Sequence, residues 1–219
     1  MPANRKEILL DLFERLFRAF GPRHWWPADS PFEVVIGAIL TQNTAWQNVK
    51  KAITNLKADG LLTPDGLHNL QIQHLSSLIK PAGYYNIKAK RLKHFLDFLF
   101  QETGGDLGCL LARDLTTLRN QLISVNGIGP ETADSIILYA GNKPSFVVDA
   151  YTKRILFRHS LLPEDVSYDE ARDFFMDCLE PDVPMFNEFH ALIVHLGHAY
   201  CLKRNPKCSA CPAEGWHQE

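Results

Sequence analysis

Apolar residues return every three or four positions from the start of the chain: Ile8, Leu9, Leu12, Phe13, Leu16, Phe17 and Phe20. That spacing predicts an amphipathic helix, stopped at Gly21-Pro22. Asp29-Ser30-Pro31 reads as a cap with proline in the first turn, opening a second helix that carries Val34, Val35, Ala38 and Ile39. Residues 45–56 form a third amphipathic stretch, and further helices are predicted near 74–79, 87–103, 115–124, 130–139, 150–158, 168–179 and 187–199. Few segments alternate with period two, and neither an internal repeat nor a low-complexity tract breaks the pattern. The predicted class is all-α.

A chain of 219 residues can bury one large core or two small ones. Helices from about residue 30 to 143 are predicted to form one bundle. The N-terminal segment, 1–29, joins residues 144–219 as a discontinuous second domain. Hydrophobic content of 46% with 22% charged residues is ordinary for a soluble globular protein. No run approaches the roughly 18 apolar residues of a membrane span. The opening Met-Pro-Ala-Asn-Arg-Lys-Glu lacks an apolar signal segment, so a cytoplasmic protein with no membrane partner is predicted. The net charge of −2 argues mildly against a nucleic-acid partner. Three clusters soften that: Lys88, Lys90, Arg91 and Lys93; Lys153, Arg154 and Arg158; Lys203, Arg204 and Lys207. Each could be a plain solvated helix face, but together they suggest one basic face.

The most informative segment is Leu122-Ile123-Ser124-Val125-Asn126-Gly127-Ile128-Gly129-Pro130-Glu131-Thr132-Ala133-Asp134. Glycines at 127 and 129 permit a tight turn and let peptide N–H groups approach a phosphate without interference, and Pro130 suits a helix's first position. Some twenty residues later, Phe146-Val147-Val148-Asp149-Ala150-Tyr151-Thr152 sets a carboxylate at the start of another helix. Taken singly, the first motif is a tight helix connection and the second an N-cap. Taken together and in this order, they resemble the endonuclease III superfamily of helix-hairpin-helix DNA glycosylases. The resemblance covers most of the chain, with the hairpin at about 115–140. It implies damaged double-stranded DNA as partner, a monomer, and a six-helix domain and a discontinuous second domain flanking a DNA-binding cleft.

Breaking an N-glycosidic bond passes through an oxocarbenium-like sugar, which a nearby carboxylate stabilises while orienting the attacking water. The resemblance assigns that role to Asp149. Bifunctional members of the family carry, two residues after the second glycine, a lysine that forms a Schiff base. Here Glu131 stands there and cannot form an imine, which implies a monofunctional glycosylase. Glu131 could tune the pocket's electrostatics or simply complement the helix dipole. Lys153 is the one obvious substitute amine, or an i,i+4 partner of Asp149, and a candidate DNA contact. Trp25-Trp26-Pro27, Leu40-Thr41-Gln42-Asn43-Thr44-Ala45-Trp46, Pro81–Leu92 and Val147–Tyr151 resemble the 3-methyladenine DNA glycosylase branch. N-alkylated purines are cationic and stack well on electron-rich rings, so Trp25, Trp26 and Trp46 are candidates to line a base pocket, or ordinary core aromatics. Gln42 matches the position from which the superfamily fills the gap left by a flipped base, though a polar residue there could equally end a helix. The rival readings are a bifunctional endonuclease III-like enzyme acting on oxidised pyrimidines and a non-catalytic DNA-binding module.

Cys201-x6-Cys208-x2-Cys211, with Gly197 four residues earlier, matches the first three ligands of the family's iron–sulfur loop. The fourth cysteine is replaced by His217. A [4Fe–4S] cluster with His217 or an outside group as fourth ligand, a Cys3His zinc site, and an empty loop of reduced thiols are all open. Cys109 and Cys178 do not fit the loop.

Overall fold

The computed structural model describes residues 4–217, and every regular element among them is helical. The chain folds as two compact units. One is Ala28–Lys143; the other joins the residues up to Pro27 to those from Pro144 onward.

The Ala28–Lys143 unit is built around α2 (Pro31–Thr41), which is buried on every side from Phe32 to Leu40 and apolar there except for Glu33, and so lies inside the bundle. It starts as its cap predicts: Ser30 Oγ accepts from Glu33 N at 3.2 Å, with Pro31 in the first turn. Around it lie α3 (Trp46–Ala58), α4 (Pro64–Asn69), α5 (Ile72–Leu78), a 3-10 turn at Lys80–Ala82, α6 (Tyr85–Thr103) and α7 (Leu107–Leu111), followed by α8 (Leu115–Ser124) and α9 (Pro130–Ser135). The last runs straight into a π-helical turn, Ile136–Ala140. Helices α4 and α7 were not predicted, being too short to show a helical period. Asp114 caps α8 through Thr117 N at 3.0 Å, and Asp106 caps α7 through Cys109 N at 3.0 Å.

The other unit holds α1 (Arg5–Phe20), α10 (Ala150–Arg158), α11 (Tyr168–Met176) and α12 (Val183–Ala199), with α12 packed against both α1 and α10. Helix α12 starts at Val183 rather than 187, because Asp182 caps it through Met185 N at 2.9 Å and Pro184 sits in its first turn. Its core is aromatic. Phe146 and Phe175 stack with ring centroids 3.8 Å apart, and Phe186 and Phe189 meet Phe146 edge-on. Trp216 is fully buried and donates Nε1–H to Ile8 O at 3.0 Å, tying the end of the described chain to α1.

Candidate functional site

Between α8 and α9 the chain turns at residues 125–129, anchored by buried Ile128, whose N–H donates to Val125 O at 3.0 Å. Gly127 has φ +96°, and a Cβ there would fall on the Arg91 side chain. Gly129 is different: at φ −88° and ψ 175° it is the N-cap of α9, and a Cβ would meet no atom within 4 Å. Its lack of a side chain is not needed by the fold. It leaves open ground before the first N–H groups of a helix, where an anion is favoured. The two hairpin helices are stapled by Arg119 of α8 and Asp134 of α9, with Nε to Oδ1 at 3.0 Å and Nη2 to Oδ2 at 3.2 Å. Asp134 is fully buried, so this pair sets how the helices meet more than it adds stability.

Gln42 ends α2 and reaches the hairpin. Its Nε2 donates to Gly127 O and Thr132 Oγ1, both at 2.9 Å, and its Oε1 accepts from Arg91 Nη1. Glu131 lies in the first turn of α9, its carbonyl accepting from Ser135 Oγ at 2.8 Å. Trp46 opens α3 in this unit. Trp25 and Trp26 lie in the other unit, half-buried, with ring centroids 5.1 Å apart.

Asp149 is the N-cap of α10 and closes a capping box with Thr152. Its Oδ1 accepts from Thr152 N at 2.8 Å and Thr152 Oγ1 at 2.9 Å. Among the described residues Oδ2 makes no hydrogen bond. A half-buried carboxylate is thus fixed through one oxygen and presents the other, at a helix N-terminus that favours its charge. Beside it on α12 lies buried His190. Burial holds its pKa below the ordinary value, opposed by the Asp149 charge. Lys153 is not the partner of Asp149. The cap folds the aspartate over the start of α10, while Lys153 Nζ donates to Val166 O at 2.7 Å.

Many cations of the predicted basic face also serve carbonyl oxygens. Lys93 donates to Leu67 O at 2.9 Å and His68 O at 2.7 Å, Arg91 is engaged by Gln42, and Lys88 is buried. Arg154 donates to Cys201 O at 2.8 Å and Gly197 O at 3.1 Å; Arg158 donates to Leu202 O at 2.8 Å and Lys203 O at 3.1 Å. Of the three clusters, only Lys203, Arg204 and Lys207 are exposed throughout.

The same arginines hold the cysteine loop. Arg158 Nη1 lies 3.2 Å from Cys201 Sγ, and Gly197 is required because a Cβ there would fall on the Tyr151 ring. Cys201 is buried, Cys211 half-buried and Cys208 exposed on a 3-10 turn. Burial, with the charges of Cys201 and Cys208, raises the Cys211 pKa, so the three thiols bear on one another. Yet among the described residues no three side chains of His, Cys, Asp or Glu gather where a single metal ion could sit. Trp216 is pinned to Ile8, and its carbonyl lies 2.9 Å from His159 Nδ1; burial lowers the His159 pKa, opposed by that carbonyl and helped by nearby His217.

Four participants were given no individual role from sequence. Arg91 carried a signal only as a cation in a run. Tyr84 and Ile87, 69% and 52% exposed, flank the start of α6 next to the Gln42 loop. Lys88 Nζ joins the two segments, donating to Leu40 O at 2.7 Å, Thr44 Oγ1 at 2.5 Å and Ala82 O at 2.8 Å. Large apolar side chains held in water beside a polar loop suit contact with stacked bases.

Residues 36–181 match the family described as HhH-GPD superfamily base excision DNA repair protein. A protein of Methanocaldococcus jannaschii named as a DNA repair glycosylase is 44% identical over 213 residues, 97% of this chain and 96% of that one. Among solved structures, the H. pylori 3-methyladenine DNA glycosylase bound to 1,N6-ethenoadenine is 27% identical, with a TM-score of 0.76, covering 90% of this chain and 98% of its own. A non-covalent endonuclease III–DNA complex shares the fold, with a TM-score of 0.82 at 21% identity over 96% of this chain and 94% of that one.

Proposed function

The chain belongs to the HhH-GPD superfamily of base excision DNA repair proteins and is a DNA glycosylase; we propose that it is a monofunctional one, releasing N-alkylated purines such as 3-methyladenine from duplex DNA by hydrolysis. The observation that carries this reading is the pair of carboxylates at the two chemical positions. Asp149 presents Oδ2 from a fixed cap, and Glu131 stands where an imine-forming lysine would have to be. Similarity to a 3-methyladenine glycosylase that holds an ethenoadenine supports the purine preference.

In the proposed reaction the lesion nucleotide is turned out of the stack. The C1′–N bond breaks with its electron pair leaving on the base, which an N-alkylated purine accepts without a general acid. Asp149 Oδ2 stabilises the cationic sugar and orients the water whose oxygen bonds to C1′; the surplus proton passes to the carboxylate or to solvent. Trp25, Trp26 and Trp46 are the aromatic candidates for stacking on the cationic base. The hairpin amides at 127–131 would hold a phosphate, and Gln42, Tyr84 and Ile87 would meet the opened stack.

A release assay against duplexes carrying single alkylated purines or oxidised pyrimidines tests the substrate class. The product should contain intact abasic sites, and borohydride should trap no covalent adduct, because Glu131 removes the amine. Strand cleavage that scales with base release and survives Lys153→Ala would overturn the monofunctional reading, as would preferential release of oxidised pyrimidines.

The glycines separate fold from binding. Gly129→Leu enters open space, so the melting temperature should stay within a few degrees while duplex affinity falls roughly tenfold or more for damaged and undamaged DNA alike. Gly127→Ala meets Arg91 at a positive φ and should cost about 1–3 kcal/mol of stability. Loss of lesion preference alone in Gly129→Leu would count against the hairpin as the phosphate grip.

For the cysteine loop the proposed occupant is a [4Fe–4S] cluster held by Cys201, Cys208 and Cys211, with the fourth ligand unassigned. The residues fit as thiolate donors: Cys201 is buried against the cationic Arg158, and the three thiols share one loop. When bound, such a cluster would fix the fold of the loop bearing Lys203, Arg204 and Lys207. Protein purified without air should then contain about four irons per chain and absorb broadly in the visible. Stoichiometric zinc, or no metal, would overturn the assignment.

A further inference from the structure

Both N–H groups and the oxygen of the Gln42 amide are engaged within the Ala28–Lys143 unit. An amide nitrogen carries two hydrogens, and Gln42 gives one to Gly127 O and one to Thr132 Oγ1. Its oxygen is taken by Arg91 Nη1. Arg91 acts a second time through its methylene stem, which occupies the space a Cβ of Gly127 would need. Near it on α6, His94 Nδ1 lies 3.0 Å from the Asn126 carbonyl. Helix α6 thus holds the hairpin turn at residues 126 and 127, and the turn holds Gln42. Among the described residues no carboxylate is paired with Arg91; its guanidinium orients a neutral amide.

We infer that Arg91 is a positioning residue that locks Gln42 to the hairpin turn, so that the phosphate-gripping turn and the loop of residues 41–45 meet the duplex as one body. The inference rests on the reading of the hairpin as the element that grips DNA. Arginine suits the task because a flexible apolar stem and a planar donor act at different points. Shortening the side chain removes both contacts at once.

Anisotropy titrations of undamaged duplex with the full chain, over a range of salt, test this. Arg91→Ala and Gln42→Ala are each expected to weaken binding roughly tenfold. The double variant should bind no more weakly than either single one, because both break one linkage. The salt slope should not change. If Arg91 instead touched a phosphate directly, the two losses would multiply and the slope would fall by about one; either result overturns the inference, as does unchanged binding by Arg91→Ala. Arg91→Met keeps the stem and removes only the guanidinium, so it reports on the amide lock should the alanine variant melt early. Gly129→Leu separates the layers. If it too binds like the parent, the hairpin reading fails and the inference with it; if it loses affinity while Arg91→Ala does not, the inference alone fails.

Discussion

Asp149→Asn should reduce the rate of base release on the order of a thousandfold while leaving duplex affinity unchanged or improved. The substitution is unusually clean here because of how the cap is built. Asparagine caps helices about as well as aspartate, and its Oδ1 can still accept from Thr152 N and Thr152 Oγ1 as the carboxylate oxygen does. What changes is Oδ2, which becomes an uncharged NH2 and can neither stabilise an oxocarbenium ion nor take a proton from water. Removing a negative charge that faces a polyanion cannot weaken electrostatic attraction. Single-turnover release from an alkylated duplex, with a thermal melt and a binding titration, checks all three expectations. An Asn variant that releases base at near the parent rate would reduce Asp149 to a cap. Equal loss of release and binding would point to a damaged interface instead.

The hairpin and the Val-Asp turn were legible in the sequence because each is made by local chemistry. Glycines, a proline and a cap fix their own few residues, and Ser30-Pro31 and Asp149-Thr152 form as such patterns dictate. The short helices at 64–69 and 107–111 escaped because they hold too few turns for apolar periodicity to register. The partners of the basic clusters were not legible for a different reason. A run of cations shows charge but not what the charge faces, and Lys93, Lys153, Arg154 and Arg158 all turn to backbone carbonyls that only tertiary packing brings near them. Lys153 beside Asp149 is the same failure on a smaller scale: i,i+4 spacing supposes that both residues stand within a helix, whereas a cap residue folds toward its own third position. Arg91 and Gln42 lie far apart in sequence and meet through the hairpin, so no local pattern could have joined them.

Lys88→Met should cost about 3 kcal/mol of stability at neutral pH, a fall in melting temperature on the order of 10 °C for a chain of this length. Lys88 is 1% exposed and has no carboxylate partner among the described residues. Its ammonium donates to Leu40 O, Thr44 Oγ1 and Ala82 O. Leu40 lies in the last turn of α2, where carbonyls have no partner within the helix and a cation is favoured. Ala82 O keeps a second donor, Thr44 Oγ1 at 2.6 Å, so the Leu40 carbonyl is the group a methionine would strand. The pH dependence gives an independent check. Burial, with the nearby Arg91 charge, lowers the folded-state pKa to about 8 from the ordinary 10.5. Between those values the unfolded chain binds more protons, so the parent gains stability as pH rises through this window and carries the full penalty of the buried charge below it. The methionine variant has no such proton, and the gap between the two should widen from pH 7 to pH 10 in denaturant titrations. A gap that stays constant would mean Lys88 keeps an ordinary affinity for its proton, the three oxygens offsetting its burial.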